Sequence, residues 1–389
     1  MSGPLKGIRV LDLTRVLAGP FATQILADLG AEVIKVERPG TGDDTRSWGP
    51  PYVKDAQGND TAETTYFASC NRGKKSVTLD LADADAQNRV RELASQCDVL
   101  VENYKVGDLA RYGLDYASLH ARYPGLIYCS ITGFGQTGPY AERRGYDPIA
   151  QAMCGMMSVT GEPEDMAGTT PQRVGVAVVD LMSGQYAVIA ILAALLHRKH
   201  TGAGQHIDIG LLDVGVASMA NIGSAYLGAG VVSKRNGGVH PSVVPSQVFE
   251  CADGYIIVAA ANDAQFRKLC ESAGRPGIAA DERFATNSAR VRNRAIIAPL
   301  LEDIFRLRTV ADWTEALPKF GVSCGPIYSM DQVFDDPQVK ARGMVAEVPY
   351  APAGTLKMTA SPIRMSATPL DSAKPPPLLG EHQQEVFRR

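Results

Sequence analysis

The chain has 389 residues, which at roughly 100–200 residues per domain calls for two domains, or for one large domain with a smaller one inserted. Hydrophobic residues make up 45% and charged residues 21%, the balance of a folded globular protein, so a disordered or fibrous chain is excluded. Lys and Arg number 39 against 42 Asp and Glu, a formal charge of −3, which leaves no net field to collect a nucleic acid or an acidic membrane surface as partner.

In chain order, Met1–Gly7 carries no apolar stretch with a cleavage site, so no export signal is read there and a cytoplasmic location is expected. Ile8–Leu13 reads as a strand, Phe21–Leu29 as a helix behind Pro20, and Glu32–Val36 as a second strand, which together form a βαβ unit. Pro39–Asn71 is polar, rich in Gly, Pro and Asp, and long for a connection, so it is expected to cover a site. A strand at Ser76–Leu81, a helix at Asp83–Cys97 and strands at Asp98–Glu102 and Leu126–Ile131 continue the alternation. That order predicts an α/β fold, a mostly parallel, doubly wound sheet with helices on both faces.

Arg173–Gly184 reads as a buried strand that delivers Asp180 to the start of an apolar helix ending at Thr201-Gly202. The longest apolar run within that helix, Ala187–Leu196, is about half of the ~20 residues that span a bilayer, so a buried helix is expected and not a membrane anchor. From Ile222 the texture changes to a Gly-rich stretch with Gly237-Gly238, a strand at Tyr255–Ala259, and helices at Phe266–Cys270, Ala289–Phe305 and Val310–Leu317, a smaller α+β domain. The last segment is dense in proline, with Pro375-Pro376-Pro377 stiff and extended. The change in texture therefore divides the chain into 1–221 and 222–330, followed by the segment 331–389.

Several chemistries are disfavoured. The turn after the first strand reads Leu13-Thr14-Arg15-Val16-Leu17-Ala18-Gly19-Pro20 and lacks the glycines with which a backbone approaches a dinucleotide pyrophosphate, so neither a nicotinamide nor a flavin is expected. The six histidines include no HxH or HExxH, and the seven cysteines form no CxxC pair, so no metal is expected and a reducing compartment fits. A Gly-x-Ser-x-Gly nucleophile turn is absent.

Asp180 has two readings. As a helix N-cap it would be structural. As a nucleophile it would be kept ionised by helix N-terminal N–H groups, with apolar walls keeping water from a covalent acyl intermediate. Arg38, Arg46, Arg72, Lys74, Lys75 and Arg111 add scattered cations that suit a polyphosphorylated ligand.

The segments DLTRVLAGPFAT, LGAEVIKVERPGTGDDTRSWGPP, CDVLVENYKVGDLARYGL, ITGFGQTGP with RRGYDP, VGVAVVDLMSG, GPIYSMDQVFDDPQV and PPPLLGEH together resemble the family III CoA-transferases over essentially the whole chain. The N-terminal third is most similar to the succinyl-CoA:glutarate (or hydroxymethylglutarate) enzymes of that family. The resemblance implies a Rossmann-like domain built from both chain ends, a small domain between them, and an interlocked homodimer. It implies that Asp180 is the catalytic aspartate and that coenzyme A is held by Leu17, Ala18, Arg38, Leu79, Asp80, Leu81, Ala82, Asn103, Tyr104, Lys105, Arg111, Arg144, Gly145, Tyr146 and Asp147. The implied reaction moves CoA from an acyl-CoA, succinyl-CoA being the expected donor, to a carboxylic acid such as glutarate through an aspartyl-CoA thioester. A distal acceptor carboxylate would call for Arg46, Arg72 or Arg144, and oxyanion donors are sought near Asp180 and at Gly237-Gly238. The alternatives are an α-methylacyl-CoA racemase, whose His-Asp pair is replaced here by Tyr146-Asp147, and a non-catalytic acyl-CoA-binding protein.

Overall fold

A computed structural model of the chain describes residues 3–370 and 373–388. Met1 and Ser2 of the N-terminal stretch, and Asp371, Ser372 and Arg389 of the C-terminal segment, lie outside the described residues. The chain divides into two compact units. One comprises the chain to Met156, Arg173–Val231 and everything from Pro337 on, and the other comprises Met157–Gln172 with Val232–Asp336.

In the larger unit the chain runs through β1 (Arg9–Asp12), α1 (Ala18–Asp28), β2 (Glu32–Glu37), β3 (Lys75–Thr78), α2 (Ala84–Ser95), β4 (Val99–Glu102), β5 (Ile127–Thr132), α3 (Asp147–Met153), α4 (Val178–Thr201), β6 (His206–Gly210), α5 (Leu211–Ser218) and α6 (Ala220–Ala229). Six strands lie in the order β3-β2-β1-β4-β5-β6, every pairing parallel. Side chains alternate between the two faces with the two-residue period of a strand. Val10, Val33, Val99, Val101, Ile127 and Cys129 pack under α1 and α4, while Leu11, Ile34, Leu100 and Tyr128 pack under α2. Burial on both faces explains why apolar residues stand at consecutive positions in these strands, as at Val10-Leu11, Val33-Ile34 and Val99–Val101.

The edge strand β3 is covered by the C-terminal segment. Gly380 N–H donates to Ser76 Oγ at 2.9 Å, Thr78 N–H to Gln383 Oε1 at 2.8 Å and Gly73 N–H to the Pro375 carbonyl at 3.0 Å. The proline-rich tail thus satisfies an otherwise open strand edge.

Pro39–Asn71 folds into a 3-10 turn at Asp44–Ser47, a hairpin of Tyr52–Lys54 with Asp60–Thr64, and a helix at Thr65–Cys70. Two expectations for this unit are corrected. Arg173–Val179 is not a strand. The chain is irregular up to Ala177, the residue before α4, and the Val174 N–H bonds to Gln151 Oε1 at 2.9 Å instead of to a strand. The second correction concerns α4, which is not wholly buried. It buries one stripe (Val179, Ser183, Ala187, Ile191, Ala194) and exposes Tyr186, Ile189 and Leu196 on the opposite one. By length and composition this one helix, among the described residues, could cross a membrane, yet its buried stripe packs into the core beneath the sheet.

The smaller unit is α+β. Ser246–Glu250, Tyr255–Ala259 and Ser323–Pro326 form an antiparallel sheet whose core joins Phe249, Phe266, Phe305, Trp313 and Leu317. The helix expected over Ala289–Phe305 is two helices, Asn287–Arg292 and Arg294–Phe305. Asn293 divides them by donating its amide to the Ala289 and Arg283 carbonyls.

Candidate active site

Strand order reverses between β1 and β4, and in such sheets the crevice beyond the carboxyl ends of those strands is where ligands bind. Here that crevice is a cleft of about 490 Å³ lined by Leu17 and Ala18 after β1, Asn103, Tyr104 and Lys105 after β4, Arg144, Gly145 and Tyr146, and Asp180. A second cleft of about 390 Å³ is lined by Arg38, Leu79, Asp80, Leu81, Ala82 and Arg111. The two share Arg15, Tyr104, Asp108 and Arg144 in their walls. Every candidate cofactor residue except Asp147 lies on one of them.

Asp147 is the correction. Its carboxylate is buried and accepts from the Val179 N–H at 2.8 Å, from the Asp180 N–H at 3.3 Å and from Gln151 Nε2 at 2.7 Å. It caps α4 from a distant segment, doing for that helix what its own N-cap residue, Ala177, cannot do. Asp180 is therefore not the N-cap, since it is the third residue of α4 and partly buried. The N–H groups expected to keep its carboxylate ionised are committed to Asp147 and, from Leu181, to the Ala177 carbonyl. Burial and the neighbouring Asp147 charge instead push the Asp180 carboxyl up to about 7.

One turn on from Asp180, Gly184 lies where a Cβ would come within 2.7 Å of the Ala18 carbonyl oxygen. Residues four apart share a helix face, so the glycine that lets α4 close on the start of α1 also sets Asp180 beside Leu17 and Ala18. A second close approach fixes the RRGYD segment. A Cβ on Gly145 would fall 2.5 Å from the Gly133 Cα, so only glycine lets these two backbones cross.

The cations divide by partner. Arg46 makes a two-armed ion pair with Glu37 at 2.7 and 2.9 Å, Arg72 is bound to Asp28 at 2.5 Å, Lys74 to Asp12 at 3.0 Å, and Lys75 to Glu32 and Glu385. These four hold the fold together and leave Arg144 as the wall cation among the three arginines considered for an acceptor carboxylate. Arg38, Lys105, Arg111 and Arg144 are exposed around the clefts, where cations suit phosphate groups. Asn103 uses its amide on the Arg15 backbone, accepting from its N–H at 2.9 Å and donating to its carbonyl at 2.7 Å. Sequence reasoning missed Arg15, Asp44, Trp48, Asp108 and Arg143 on the cleft walls. Each lies within a few residues of a recognised segment, and that adjacency was the available signal. In the smaller unit, the Gly237 N–H donates to the Gly161 carbonyl at 3.0 Å and is not a free oxyanion donor.

Residues 5–383 match the CoA-transferase family III profile. The chain is 48% identical to a succinate–glutarate CoA-transferase of Agrobacterium fabrum, over 99% of this chain and 95% of that protein. It is 46% identical to the mouse succinyl-CoA:glutarate CoA-transferase, over 99% of this chain and 86% of that one. The crystal structure of a CAIB/BAIF family protein from Brucella suis superposes with a TM-score of 0.89 at 47% identity, covering 100% of this chain and 99% of that one. The chain belongs to the family III CoA-transferases, and its cleft, with Asp180 on the wall, is built on the fold of that family.

Proposed function

We propose that this enzyme transfers CoA from succinyl-CoA to glutarate, with Asp180 as the nucleophile. The observation that carries this reading is the position of Asp180 on the wall of the cleft that the Leu17-Ala18 turn, Asn103–Lys105 and Arg144–Tyr146 also line. The names of the relatives supply the substrate pair.

The ionised Asp180 attacks the succinyl thioester carbonyl, forming a mixed anhydride and releasing CoA thiolate. The thiolate attacks the aspartyl carbonyl, breaks the anhydride and frees succinate, leaving an aspartyl-CoA thioester. Glutarate attacks that thioester, again giving an anhydride and thiolate, and the thiolate takes the glutaryl group and restores the Asp180 carboxylate. Each acyl bond broken is matched by one formed, so no external energy source enters. The cleft residues bind and orient CoA, Arg38 and Arg111 taking its phosphates, and Arg144 takes the distal acceptor carboxylate. A racemase would need bases on two faces of an α-carbon. Asp147 is spent on capping α4, and Tyr146 offers a phenol, whose ordinary pKa is ~10, in place of an imidazole.

The assembly proposed is an interlocked homodimer. Its support is the apolar stripe Tyr186, Ile189 and Leu196 of α4, together with exposed Tyr226 and Leu227 of α6, a surface that a second copy would cover. Seven free thiols fit work in the cytoplasm.

The test is mass spectrometry of the intact protein after mixing with succinyl-CoA. A CoA adduct that maps to the Asp180 peptide and disappears on adding glutarate, as glutaryl-CoA forms without ATP, is the expected result. Glutaryl-CoA formed by an Asp180→Asn protein at the wild-type rate would overturn the mechanism.

A further inference from the structure

The turn Thr14-Arg15-Val16, between β1 and α1, has all six of its backbone polar groups held by side chains. The Thr14 N–H donates to Asp12 Oδ1 at 2.9 Å, and its carbonyl accepts from Lys35 Nζ at 2.7 Å. Asn103 takes both groups of Arg15. The Val16 N–H donates to Asp43 Oδ1 at 3.2 Å, and the Cys70 thiol donates to the Val16 carbonyl at 3.5 Å. Five residues from five separate segments thus fix three residues of chain. Two of them, Lys35 and Asp43, form an ion pair at 2.9 Å with both side chains fully buried.

The backbone explains this density. Val16 sits at φ 69°, in the left-handed region where a β-branched side chain is a genuine outlier. Such a conformation persists only where the surroundings over-determine it. Relaxation of Val16 to negative φ would swing the residues that follow. Those are Leu17 and Ala18, which begin α1 without a side-chain cap and stand on the cleft wall with Asp180.

We propose that Asp43, paired with Lys35, and Cys70 are positioning residues for CoA transfer. They hold Val16 in the left-handed region and so keep the uncapped start of α1 in place against the reacting acyl group. Asp43 and Cys70 grip the two polar groups of Val16 directly, and Lys35 fixes both Asp43 and the Thr14 carbonyl. The inference rests on reading this cleft as the acyl-CoA site.

The experiment is a double-mutant cycle on turnover with succinyl-CoA and glutarate. Asp43→Asn is expected to lower kcat about 100-fold, with KM for succinyl-CoA changed less than about threefold, the signature of a displaced wall with its binding contacts retained. In the Val16→Gly background, where the left-handed conformation carries no side-chain clash, the same substitution is expected to cost only about tenfold. A purely structural role would give the same loss in both backgrounds, and that result, or a change confined to KM, would overturn the proposal. If Asp43→Asn does not fold, Cys70→Ala takes its place in the cycle. Its loss is then about fivefold with Val16 and less than twofold with Val16→Gly, and it is judged by the same criterion. An Asp180→Asn protein that still exchanges CoA sinks the reading of the site, whereas an inactive one without coupling between positions 43 and 16 sinks this inference alone.

Discussion

Asp12 and Asp180 are both carboxylates withdrawn from water near the carboxyl end of the same sheet, and their chemistry is opposite. Asp12 has Lys74 at 3.0 Å and accepts hydroxyl hydrogen bonds from Thr14 and Thr23. Although burial alone would raise it, Lys74 and Lys35 hold it far below the ordinary carboxylate range. Asp180 has no ion-pair partner among the described residues, and its charged neighbour is another carboxylate, so it rises to about 7. Burial is common to both. The partner decides whether a buried acid serves as a structural anion or as a group poised to change its bonding near neutral pH.

The sharpest break in this comparison is Asp180→Asn. Removing the nucleophile is expected to cost more than about 10⁴-fold in turnover. Removing a partly buried charge that has no ion-pair partner among the described residues is also expected to stabilise the fold by about 1–2 kcal/mol at pH 8, after allowance for partial exposure. The sign follows from the raised folded-state pKa. The native state holds a proton there between about pH 4 and pH 7 that the unfolded chain has lost, so this group's contribution to stability falls as pH rises across that window. Chemical denaturation of both proteins at pH 5 and pH 8 checks it, because the difference should be clearly larger at pH 8, above the window, than at pH 5, inside it.

On the other side of the comparison, Lys74→Met leaves Asp12 buried without its closest cation and is expected to cost about 3–5 kcal/mol of stability. Urea titration reads this directly. If the loss were under 1 kcal/mol, the structural role assigned to the pair would fall.

Arg38→Ala and Arg111→Ala should each weaken CoA binding by about 10–100-fold, as loss of a charge-assisted contact does, without altering the melting transition. Calorimetric titration at two salt concentrations tests this, and the loss should shrink at high salt, where exposed charges are screened.

The smallest effect is the most specific. The rate is expected to climb with pH through about 7 as Asp180 ionises. Asp147→Asn keeps an acceptor for the α4 N–H groups but removes the like charge, so the rising limb should move to lower pH. A shift upward, or none, would show that Asp147 does not act on Asp180 through its charge.

The strands Ile8–Leu13, Glu32–Val36, Asp98–Glu102 and Leu126–Ile131 were legible in the sequence because strands buried on both faces carry apolar residues at consecutive positions, and turn residues bound them. The family could be read from motifs spread along the chain, and the smaller unit from a change in texture. The sequence alone could not place Arg173–Val179, where a β-branched run looks like a strand but the six-stranded order gives it no partner. Nor could it sort the cations. Arg46, Arg72 and Lys74 look as available as Arg38 and Arg111 until the fold sets Glu37, Asp28 and Asp12 beside them.

Local pattern therefore determined the elements, the sheet type and the identity of the nucleophile candidate, since periodicity, turn chemistry and motif are properties of neighbouring residues. Tertiary structure alone decided which charges are paired, that Asp147 caps a helix 31 residues further on (from Asp147 to Val178), and that Asp180 has no ion-pair partner among the described residues. Pairing depends on distances between segments remote in sequence, and in a low-dielectric interior those distances set the protonation state of every buried acid.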